Sequence, residues 1–466
     1  MHTSAPATSA PLHRLLWATA QVVKAVGAGR SMGTALEAVP SALKPGTQAL
    51  SFHVMRWLGS AQWARAQLAP KKPAPDIDAL LTTALALLWP HSRPPYEAHT
   101  LVNEAVKAVQ KAQPRASGFV NAVLRGFLRQ PSGWTEGALA DPRARWNHAP
   151  WWVQALQRDW PDHAEALLDA AQQHPPLTLR ANAQQGDALH WLEALRGAGV
   201  KARPLALPAG ALRGLGTPGW TPPAGPQGWP LPQALMLEEA VPVQRLPGFD
   251  TGRGSVQDAA AQVAAPLLLE GLPPRADGRP WRVLDACSAP GGKTAHLLEL
   301  APLDLWALDS DEQRLRRVGE GLARLGLGPA NLKAVDARDT AAWWDGQPFD
   351  AVLLDAPCSG SGISRRHPDA RWLRRAADIP ALAQVQAGLL DALWTVLRPG
   401  GRLLYATCSL FKAEGQDQID AFLQRQGLPA GVVDPRSPGH VLPLVDNQSQ
   451  AQPACDGFFY ALLHKP

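Results

Sequence analysis

The stretch Arg282-Val-Leu-Asp-Ala-Cys-Ser-Ala-Pro-Gly-Gly-Lys-Thr294 decides the fold of this chain. Its first apolar residues predict a short buried strand that ends in an acid, Asp285. A tight Pro-Gly-Gly turn follows, and the residues up to Leu300 have a helical pattern. A strand, a glycine turn and a helix in this order build the nucleotide site at the first strand of a doubly wound α/β sheet. The glycines let the backbone approach a ligand, and the helix N-terminus directs N–H groups toward it.

Two common nucleotide-binding patterns do not fit this stretch. A Walker A loop requires Gly-x-x-x-x-Gly-Lys-Thr, but Cys287 occupies the position of its first glycine. The dinucleotide pattern Gly-x-Gly-x-x-Gly is absent too, because Gly291 and Gly292 are adjacent. The stretch instead resembles the first motif of the NOP2/Sun family of S-adenosylmethionine-dependent RNA cytosine-C5 methyltransferases, Asp-x-Cys-Ala-Ala-Pro-Gly-Gly-Lys-Thr. Ser288 replaces the first alanine, which exchanges one small residue for another.

Length and composition limit the class of protein. A chain of 466 residues can form two or three domains, each with its own core. No run of about eighteen apolar residues predicts a membrane span, and residues 1–10 lack the pattern of a signal peptide. The four cysteines lie far apart without a Cys-x-x-Cys pair, which argues against a zinc site or a disulfide framework and for a reducing cytosol. We therefore expect a cytoplasmic protein that binds no metal and no membrane. A monomer is a separate expectation, because the sequence pattern does not give the oligomeric state.

Positive charge is concentrated in the first third of the chain. Residues 1–145 contain sixteen Lys and Arg against seven Asp and Glu, whereas the net charge of the whole chain is +5. The remaining residues are therefore slightly acidic. A basic segment joined to a near-neutral remainder favours a polyanion as the partner, although an ordinary solvated surface would give the same count.

Residues 1–145 predict a helical bundle. Apolar residues recur at helical spacing across most of residues 11–130. The run Ser117-Gly-Phe-Val-Asn-Ala-Val-Leu-Arg125 resembles the end of the NusB-like RNA-binding domain of Sun-type methyltransferases. We therefore expect an all-α, NusB-like RNA-binding domain. The residues predicted to be buried on one face of its last helix are Phe119, Val120, Val123, Leu124 and Phe127.

Residues 146–245 predict a small α+β module. Residues 177–182 alternate like a strand, residues 186–197 have a helical pattern, and residues 201–207 predict another strand. Loops rich in Pro and Gly are expected from 208 to 232. The resemblance implies an RRM-like subdomain at this place, with its aromatic side chains in the core.

Residues 246–466 predict a Rossmann-like α/β domain that carries the catalytic site. Strands and helices alternate after the first motif, as a doubly wound sheet requires. Four successive predicted strands end in an acid, at Asp285, Asp309, Asp336 and Asp355. A single Asp at a strand end is often a helix cap, whereas ligands of such sheets bind at the carboxyl ends of the strands. Four such acids therefore favour a ligand site.

The resemblance implies S-adenosyl-L-methionine as the cofactor. Asp309 is then expected to accept hydrogen bonds from both ribose hydroxyls, and Asp336 from the adenine amino group. The loop of the first motif would hold the methionine part, while the sequence leaves open whether Lys293 faces the cofactor or the base. The implied cofactor-binding residues are Cys287, Ser288, Ala289, Pro290, Gly291, Gly292, Lys293, Asp309, Asp336 and Asp355.

Two further motifs contain cysteines, Asp355-Ala-Pro-Cys-Ser-Gly360 and Ala406-Thr-Cys-Ser409. Cytosine C5 is too weak a nucleophile to attack a methylsulfonium unaided, and addition of a thiolate to C6 makes C5 enamine-like. Loss of the C5 proton and elimination of the thiolate then restore the ring. This chemistry requires a cysteine beside the cofactor and a group that assists release. A lone free cysteine is usually a small buried hydrophobe, but two cysteines in these motifs favour catalysis.

By the resemblance, Cys408 is the nucleophile, Cys358 is the release group, and Asp355 holds the N3/N4 edge of the cytosine. DNA cytosine methyltransferases place the nucleophile in their Pro-Cys motif, so the reverse assignment of the two cysteines is the alternative. Cys287 and Cys455 are assigned to structure.

A basic stretch follows Cys358, Arg365-Arg-His-Pro-Asp-Ala-Arg-Trp-Leu-Arg-Arg375. Arginines beside a tryptophan suit phosphate contact and stacking on an unpaired base, and the alternative is an exposed charged helix. The family has a similar element at this place. The residues expected to contact RNA are Arg365, Arg366, His367, Arg371 and Trp372.

The three predicted parts together are similar to the small-subunit rRNA branch of the family, which implies methylation of cytosine 967 of 16S rRNA. A tRNA cytosine-C5 methyltransferase with the same site is the nearest alternative. A catalytically inactive RNA-binding factor with a NusB-like bundle is the alternative from another class. Cys358, Cys408 and the acids at the strand ends argue against that last alternative, because a binding module needs none of them.

Overall fold

The computed structural model shows two compact units. The first consists of Met1–Gln172 and Ser364–Ala376, and the second of Gln173–Ile363 and Ala377–Pro466. The predicted helical domain, residues 1–145, lies within the first unit, which continues to Gln172. The structure describes residues 10–90, 95–215, 228–445 and 453–466.

The first unit is helical, as predicted. Its central helix is apolar on nearly all sides, and from Ile77 to Leu88 every side chain except Asp78 is buried. Among the described residues, no helix combines the length and the apolar character needed to cross a bilayer. The helices are α1 (Leu12–Gly27), α2 (Met32–Glu37), α3 (Lys44–Arg56), α4 (Leu58–Leu68), α5 (Pro75–Leu88), α6 (Ala98–Ala112), α7 (Ser117–Leu128), α8 (Pro131–Ala138), α9 (Pro142–Trp146), α10 (Pro150–Asp159) and α11 (Ala164–Gln172).

Helix α7 differs from its predicted apolar face at one residue. Val120, Val123, Leu124 and Phe127 are buried, but Phe119 is 42% exposed. The buried residues follow the spacing i, i+3, i+4, i+7 of a single helical face, and Phe119 lies one position outside it. The prediction that Phe119 is buried was therefore wrong.

The segment Ser364–Ala376 packs against the helices of this unit, although it is distant from them in sequence. It contains the short helix α17 (Ala370–Leu373). The indole N–H of Trp372 donates to the carbonyl of Met55 at 2.8 Å. The carboxylate of Asp369 accepts from the backbone N–H of Met32, the first residue of α2, at 2.9 Å. This part of the basic stretch therefore completes the helical unit.

The second unit contains a small antiparallel sheet in the order β2-β3-β1-β4. The predicted strands at 177–182 and 201–207 and the helix between them are confirmed. Strand β3 was missed, because Pro230 and Pro232 suggested a loop; both prolines lie exposed in the strand. The elements are β1 (Thr178–Ala181), α12 (Ala188–Gly197), β2 (Ala202–Leu207), β3 (Trp229–Leu237) and β4 (Gly254–Val256).

The larger sheet has seven strands in the order β10-β11-β9-β8-β5-β6-β7. Strands β5 to β9 are parallel to one another. Strand β11 pairs antiparallel with β9, and β10 pairs antiparallel with β11. The strands are β5 (Trp281–Ala286), β6 (Leu303–Asp309), β7 (Asn331–Ala334), β8 (Phe349–Asp355), β9 (Leu397–Thr407), β10 (Gly439–Val441) and β11 (Phe458–His464). The helices are α13 (Ala264–Leu269), α14 (Gly292–Leu300), α15 (Glu312–Leu325), α16 (Thr340–Trp343), α18 (Asp378–Val396) and α19 (Gln416–Gln426).

Apolar cores cover both faces of this sheet. Along β8, Ala351 and Leu353 belong to one core, whereas Val352 and Leu354 belong to the other. The strand order reverses between β5 and β8, and such a switch point places a crevice at the carboxyl ends of the strands. The predicted doubly wound fold therefore places its ligand crevice beside Asp285 and Asp355.

We predict that Trp372→Ala lowers the free energy of unfolding of the helical unit by about 3 kcal/mol, because it empties a packed aromatic site and removes the bond to Met55. The matched control is Phe119→Ala, which removes an exposed ring and should change stability by less than about 0.5 kcal/mol. Urea unfolding measures both. Equal losses for the two variants would contradict the packing role of Trp372.

Candidate active site

Four acids that lie at or just after the ends of strands β5 to β8 act electrostatically on Cys287 in the loop after β5. Burial raises the pKa of Cys287 to about 12, and the negative charges of Asp355, Asp309, Asp285 and Asp336 add to that effect. Parallel neighbouring strands end at the same edge of the sheet, so their last residues lie close together. The structure thus brings together the four acids that the sequence pattern indicated.

The loop of the first motif has a narrowly defined shape. Cys287 and Gly291 have φ angles of 68° and 94°, in the left-handed region. A Cβ atom at Gly291 would lie 3.0 Å from the side chain of Val318 on α15, so glycine is required there. The hydroxyl of Thr294 donates to the carboxylate of Asp285 at 2.6 Å, which ties the first turn of α14 to β5.

Asp309 is buried and holds this loop. Its carboxylate accepts from the backbone N–H groups of Ala289 at 3.1 Å and Asp311 at 3.0 Å. Arg314 lies 3.7 Å from the same carboxylate and donates to the carbonyl of Ala289 at 2.9 Å. A carboxylate has about four acceptor positions, so the two ribose hydroxyls expected here could still be accommodated.

Asp336 is bonded mainly to Arg338. The guanidinium and the backbone N–H of Arg338 donate to its carboxylate, the shortest contact being 2.6 Å. These bonds hold the pKa of Asp336 below its usual value. A contact from Asp336 to the adenine amino group stays a prediction, and it requires Asp336 to share its oxygens with Arg338.

A buried ion pair supports the first-motif helix from the smaller sheet. Arg180 on β1 and Glu299 on α14 are both fully buried and joined by two bonds of 2.7 and 2.8 Å. Arg180 also donates to the carbonyl of Gly292 at 2.8 Å and to the side chain of Gln257. Sequence reasoning missed Arg180, because a charged residue in an alternating strand predicts a solvent-facing position.

The residues of this region fit S-adenosylmethionine. The Ser288 hydroxyl and one carboxylate oxygen of Asp285 are buried and have no hydrogen-bond partner among the described residues. Buried polar atoms normally have a partner, so these two are available to a ligand. The surrounding carboxylates suit a molecule with a positive sulfonium, a positive amino group and ribose hydroxyls.

Lys293 faces Asp355, with its ammonium nitrogen 2.7 Å from a carboxylate oxygen. The same nitrogen lies 5.2 Å from the ring centre of Phe458 on β11. Burial opposes the charge of Lys293, but the charge of Asp355 and the hydrogen bond to it raise the pKa of Lys293 above the usual value. Lys293 is therefore a partly buried cation that is paired with Asp355 and interacts electrostatically with Cys408.

Cys358 and Cys408 lie side by side, with their sulfur atoms 3.3 Å apart. Strands β8 and β9 are parallel neighbours, so the loops that follow them meet. The hydrogen bond to Cys408, together with burial, raises the pKa of Cys358 well above its usual range. Cys358 therefore keeps its proton at neutral pH and can donate it in a hydrogen bond to the sulfur of Cys408. Cys455, assigned to structure, is buried.

Glu414 joins the two cysteine loops and was missed from the sequence. One of its carboxylate oxygens accepts from the hydroxyls of Ser359 at 2.5 Å and Ser409 at 2.6 Å. The other accepts from the backbone N–H of Ser359 at 2.8 Å and the amide of Gln386 at 3.2 Å. The sequence did contain one sign of this connection, because a serine directly follows the cysteine in both motifs and both serines bond Glu414.

The five residues expected to contact RNA differ in burial. Arg365 and Arg371 are buried, and Trp372 packs against the helical core. These three side chains therefore contact the protein interior. The guanidinium of Arg371 donates to the carbonyls of Ala171 at 2.7 Å and Ser364 at 3.3 Å. Arg366 is half-buried and His367 is exposed. RNA contact stays a prediction, and His367 is the most accessible of the five.

Three parts of the chain match known protein families. Residues 20–129 match the NusB family. Residues 148–214 match the ferredoxin-like domain of RsmF/B-like methyltransferases, and residues 272–464 match the 16S rRNA methyltransferase RsmB/F family. These matches confirm the predicted sequence of a NusB-like bundle, a small α+β module and a methyltransferase domain.

Curated relatives align with nearly the whole chain. Ribosomal RNA small subunit methyltransferase B of Pseudomonas syringae pv. tomato is 40% identical over 472 residues, which covers 96% of each chain. The protein of the same name from Xanthomonas campestris pv. campestris is 41% identical over 465 residues, again with 96% coverage of each. The chain belongs to the RsmB/F family of 16S rRNA methyltransferases. It is therefore an S-adenosylmethionine-dependent RNA methyltransferase, as the first motif predicted.

Solved structures share the fold. PH0851 is 22% identical, with a TM-score of 0.71 and coverage of 100% of both chains. A methyltransferase homolog from Pyrococcus horikoshii is 24% identical, with a TM-score of 0.51, and covers 70% of this chain and 98% of its own. This likeness confirms the predicted fold class.

We predict that Asp309→Ala weakens S-adenosylmethionine binding, because a charged acceptor for hydroxyl groups is lost. A hydrogen bond to a charged group contributes about 1.5–3 kcal/mol, so affinity should fall roughly tenfold or more. Asp311→Ala is the matched control, since Asp311 is exposed and caps α15. Calorimetry measures both. Equal affinity of parent and Asp309→Ala would remove Asp309 from the cofactor site.

Proposed function

We propose that this chain methylates C5 of a cytosine in 16S rRNA through a covalent bond between Cys408 and C6 of the base. The observation that carries the proposal is the pair of sulfur atoms 3.3 Å apart, on the loops after β8 and β9. The family match and the names of the relatives support 16S rRNA as the substrate. Cytosine 967 is the target that the resemblance implies.

S-adenosylmethionine, when bound, supplies an electrophilic methyl group. The residues proposed to hold it are Asp309, Asp336, Asp355 and the loop residues Cys287, Ser288, Ala289, Pro290, Gly291, Gly292 and Lys293. Electrostatics support this placement, because the same four acids that raise the pKa of Cys287 in the loop favour a cation there.

The first step is attack on the base by Cys408. Its thiol loses a proton to solvent, and the thiolate forms a bond to C6 while the C5–C6 π electrons shift toward C5. The ammonium of Lys293 and the S–H of Cys358 both favour negative charge on that sulfur. Asp355 is proposed to accept from the N3/N4 edge of the cytosine, which fixes the base above the two cysteines.

The second step is release of the methylated base. C5 then carries both a proton and the new methyl group. The proton passes to Cys358, the electron pair re-forms the C5–C6 double bond, and Cys408 leaves as a thiolate. Cys358 must be ionised to accept this proton. The bond of Cys408 to C6 removes the hydrogen bond that is the largest cause of the raised Cys358 pKa, while burial and Glu414 still raise it. Cys358 is proposed to pass its own proton to solvent before it accepts the proton from C5.

The two rivals predict different outcomes. A tRNA methyltransferase would use the same residues on another RNA, and only the substrate would differ. An inactive binding factor would need no ordered cysteine pair, yet the two sulfurs are adjacent and Lys293 interacts electrostatically with Cys408. The geometry therefore supports an active enzyme.

We predict that the two cysteine variants fail at different steps on 16S rRNA. Cys408→Ala should give neither product nor covalent complex, because no sulfur can attack C6. Cys358→Ala should still attack and transfer the methyl group but stall before release. It should leave a protein–RNA conjugate that survives denaturing electrophoresis.

Cys455→Ala is the matched control, because this buried cysteine lies outside both motifs, and it should turn over without accumulating a conjugate. A conjugate from Cys408→Ala and none from Cys358→Ala would reverse the roles of the two cysteines. Absence of any conjugate, with no methylation by the parent protein, would favour the inactive binding factor.

A further inference from the structure

Glu414 is a fully buried acid whose hydrogen-bonding capacity is filled by neutral groups. Its four donors come from Ser359, which contributes both its backbone N–H and its hydroxyl, and from Ser409 and Gln386. An ionised carboxylate has about four acceptor positions and no donor, so this environment matches the ionised form. Burial of a charge without a cation costs free energy, and its presence here requires a structural reason.

Each serine bonded to Glu414 directly follows a cysteine. Ser359 follows Cys358, and Ser409 follows Cys408. A single carboxylate therefore connects the loop after β8 with the loop after β9. A change in the length or direction of these bonds therefore alters one of the connections between the two cysteine loops.

Glu414 is itself held in place by β9. Its backbone carbonyl accepts from the hydroxyls of Tyr405 at 2.9 Å and Thr407 at 3.2 Å. The Tyr405 hydroxyl also lies 3.1 Å from the side-chain oxygen of Gln386. The carboxylate thus extends from a fixed backbone position, as a positioning group requires.

Other bonds join the same loops without Glu414, and the hydroxyl of Ser409 lies 3.0 Å from that of Ser361 and 3.4 Å from that of Ser359. The backbone N–H of Gly362 donates to the carbonyl of Cys408 at 2.9 Å, and the N–H of Leu410 donates to the hydroxyl of Ser361 at 2.7 Å. These bonds should keep the loops near each other when Glu414 is changed. The effect of Glu414 is then a shift of the sulfur atoms rather than loss of the fold.

We propose that Glu414 is a positioning residue that sets the distance between the Cys358 and Cys408 sulfur atoms. The proposal rests on the proposed function, in which one sulfur attacks cytosine and the other assists release. Glu414 acts through Ser359 and Ser409. A displacement of about 1 Å in a reacting group can lower a rate by on the order of a hundredfold, so such a contact can limit turnover.

The first test is Glu414→Gln. Its amide has nearly the same size, but it places N–H donors against groups that now donate to the carboxylate. We expect kcat for RNA methylation to fall by roughly a hundredfold. The KM for S-adenosylmethionine should stay within about twofold, because the cofactor loop follows other strands. A lost cofactor contact would instead raise that KM.

The second test measures the cysteine pair without RNA or cofactor. Diamide takes two electrons and two protons from the Cys358 and Cys408 thiols, and the two sulfurs form a disulfide. The rate of disulfide formation depends on how often the two sulfur atoms reach bonding distance. We expect rapid disulfide formation in the parent and a rate about tenfold lower in Glu414→Gln. Peptide mass spectrometry identifies the disulfide between Cys358 and Cys408. Cys287 and Cys455 serve as the internal control, because they should remain free thiols that are alkylated after the protein is denatured.

Asp434→Asn is the matched control for loss of a buried acid. Asp434 bonds Arg436 at 2.7 Å and His464 at 2.7 Å, away from the two cysteine motifs. It should lose thermal stability while keeping both kcat and the rate of disulfide formation. Ser409→Ala is the alternative variant if Glu414→Gln does not fold. It removes the bond between Ser409 and Glu414 but keeps the bonds between Ser359 and Glu414. The double variant should be no worse than the more impaired single variant, since both changes break the same connection.

The outcomes separate this proposal from the proposed function. Slower disulfide formation with lower kcat supports both. Slower disulfide formation in a chain whose parent does not methylate cytosine would keep the positioning role and reject the proposed reaction. An unchanged rate of disulfide formation in folded Glu414→Gln and Ser409→Ala would overturn the positioning role, whatever happens to kcat.

Discussion

The parallel pairing of β5 with β8 and of β8 with β9 is the constraint on which the site depends. It brings the loops after these strands to one edge of the sheet, at the point where the strand order reverses. The first-motif loop, Asp355 and both cysteines therefore lie near each other. Short-range hydrogen bonds and ion pairs then hold the individual side chains in place. One of them, between Lys293 and Asp355, joins the first-motif loop to the end of β8, which precedes the Cys358 loop.

Packing from other parts of the second unit stabilises this edge. Arg180 connects the small sheet to α14 through Glu299 and Gly292. At the opposite side, a Cβ atom on Gly362 would lie 2.0 Å from the carbonyl oxygen of Gly457, so the C-terminal segment and the loop beyond Cys358 approach at backbone distance. This approach places Phe458 beside Lys293. The edge that carries the candidate site is therefore packed against elements that are distant in sequence.

Local patterns predicted much of this structure. Apolar runs that end in Asp285, Asp309 and Asp355 are strands because a buried parallel strand is a continuous apolar segment, and their order follows from the fold class. The cysteine motifs could be placed at neighbouring strand ends for the same reason. The chemistry of cytosine C5 then predicted roles for two cysteines beside a cofactor loop, one as nucleophile and one as release group.

Other features depend on contacts between distant residues, which no local pattern contains. Glu414 resembles an ordinary acid near a helix start, and its role becomes visible only when Ser359 and Ser409 lie on either side of it. Trp372 stands in a basic stretch typical of RNA contact, but a distant carbonyl, that of Met55, accepts from its indole. Phe119 is exposed because it lies one position outside the face formed by the four residues that are buried as predicted.

The central claim is that this chain forms 5-methylcytosine in 16S rRNA with Cys408 as the nucleophile. Bisulfite sequencing of 16S rRNA and tRNA tests it most directly, in cells that contain the parent protein, the Cys408→Ala variant or neither. One 16S rRNA cytosine should resist conversion only in the cells that contain the parent protein. Protection confined to tRNA, or an identical pattern in all three cells, would contradict it.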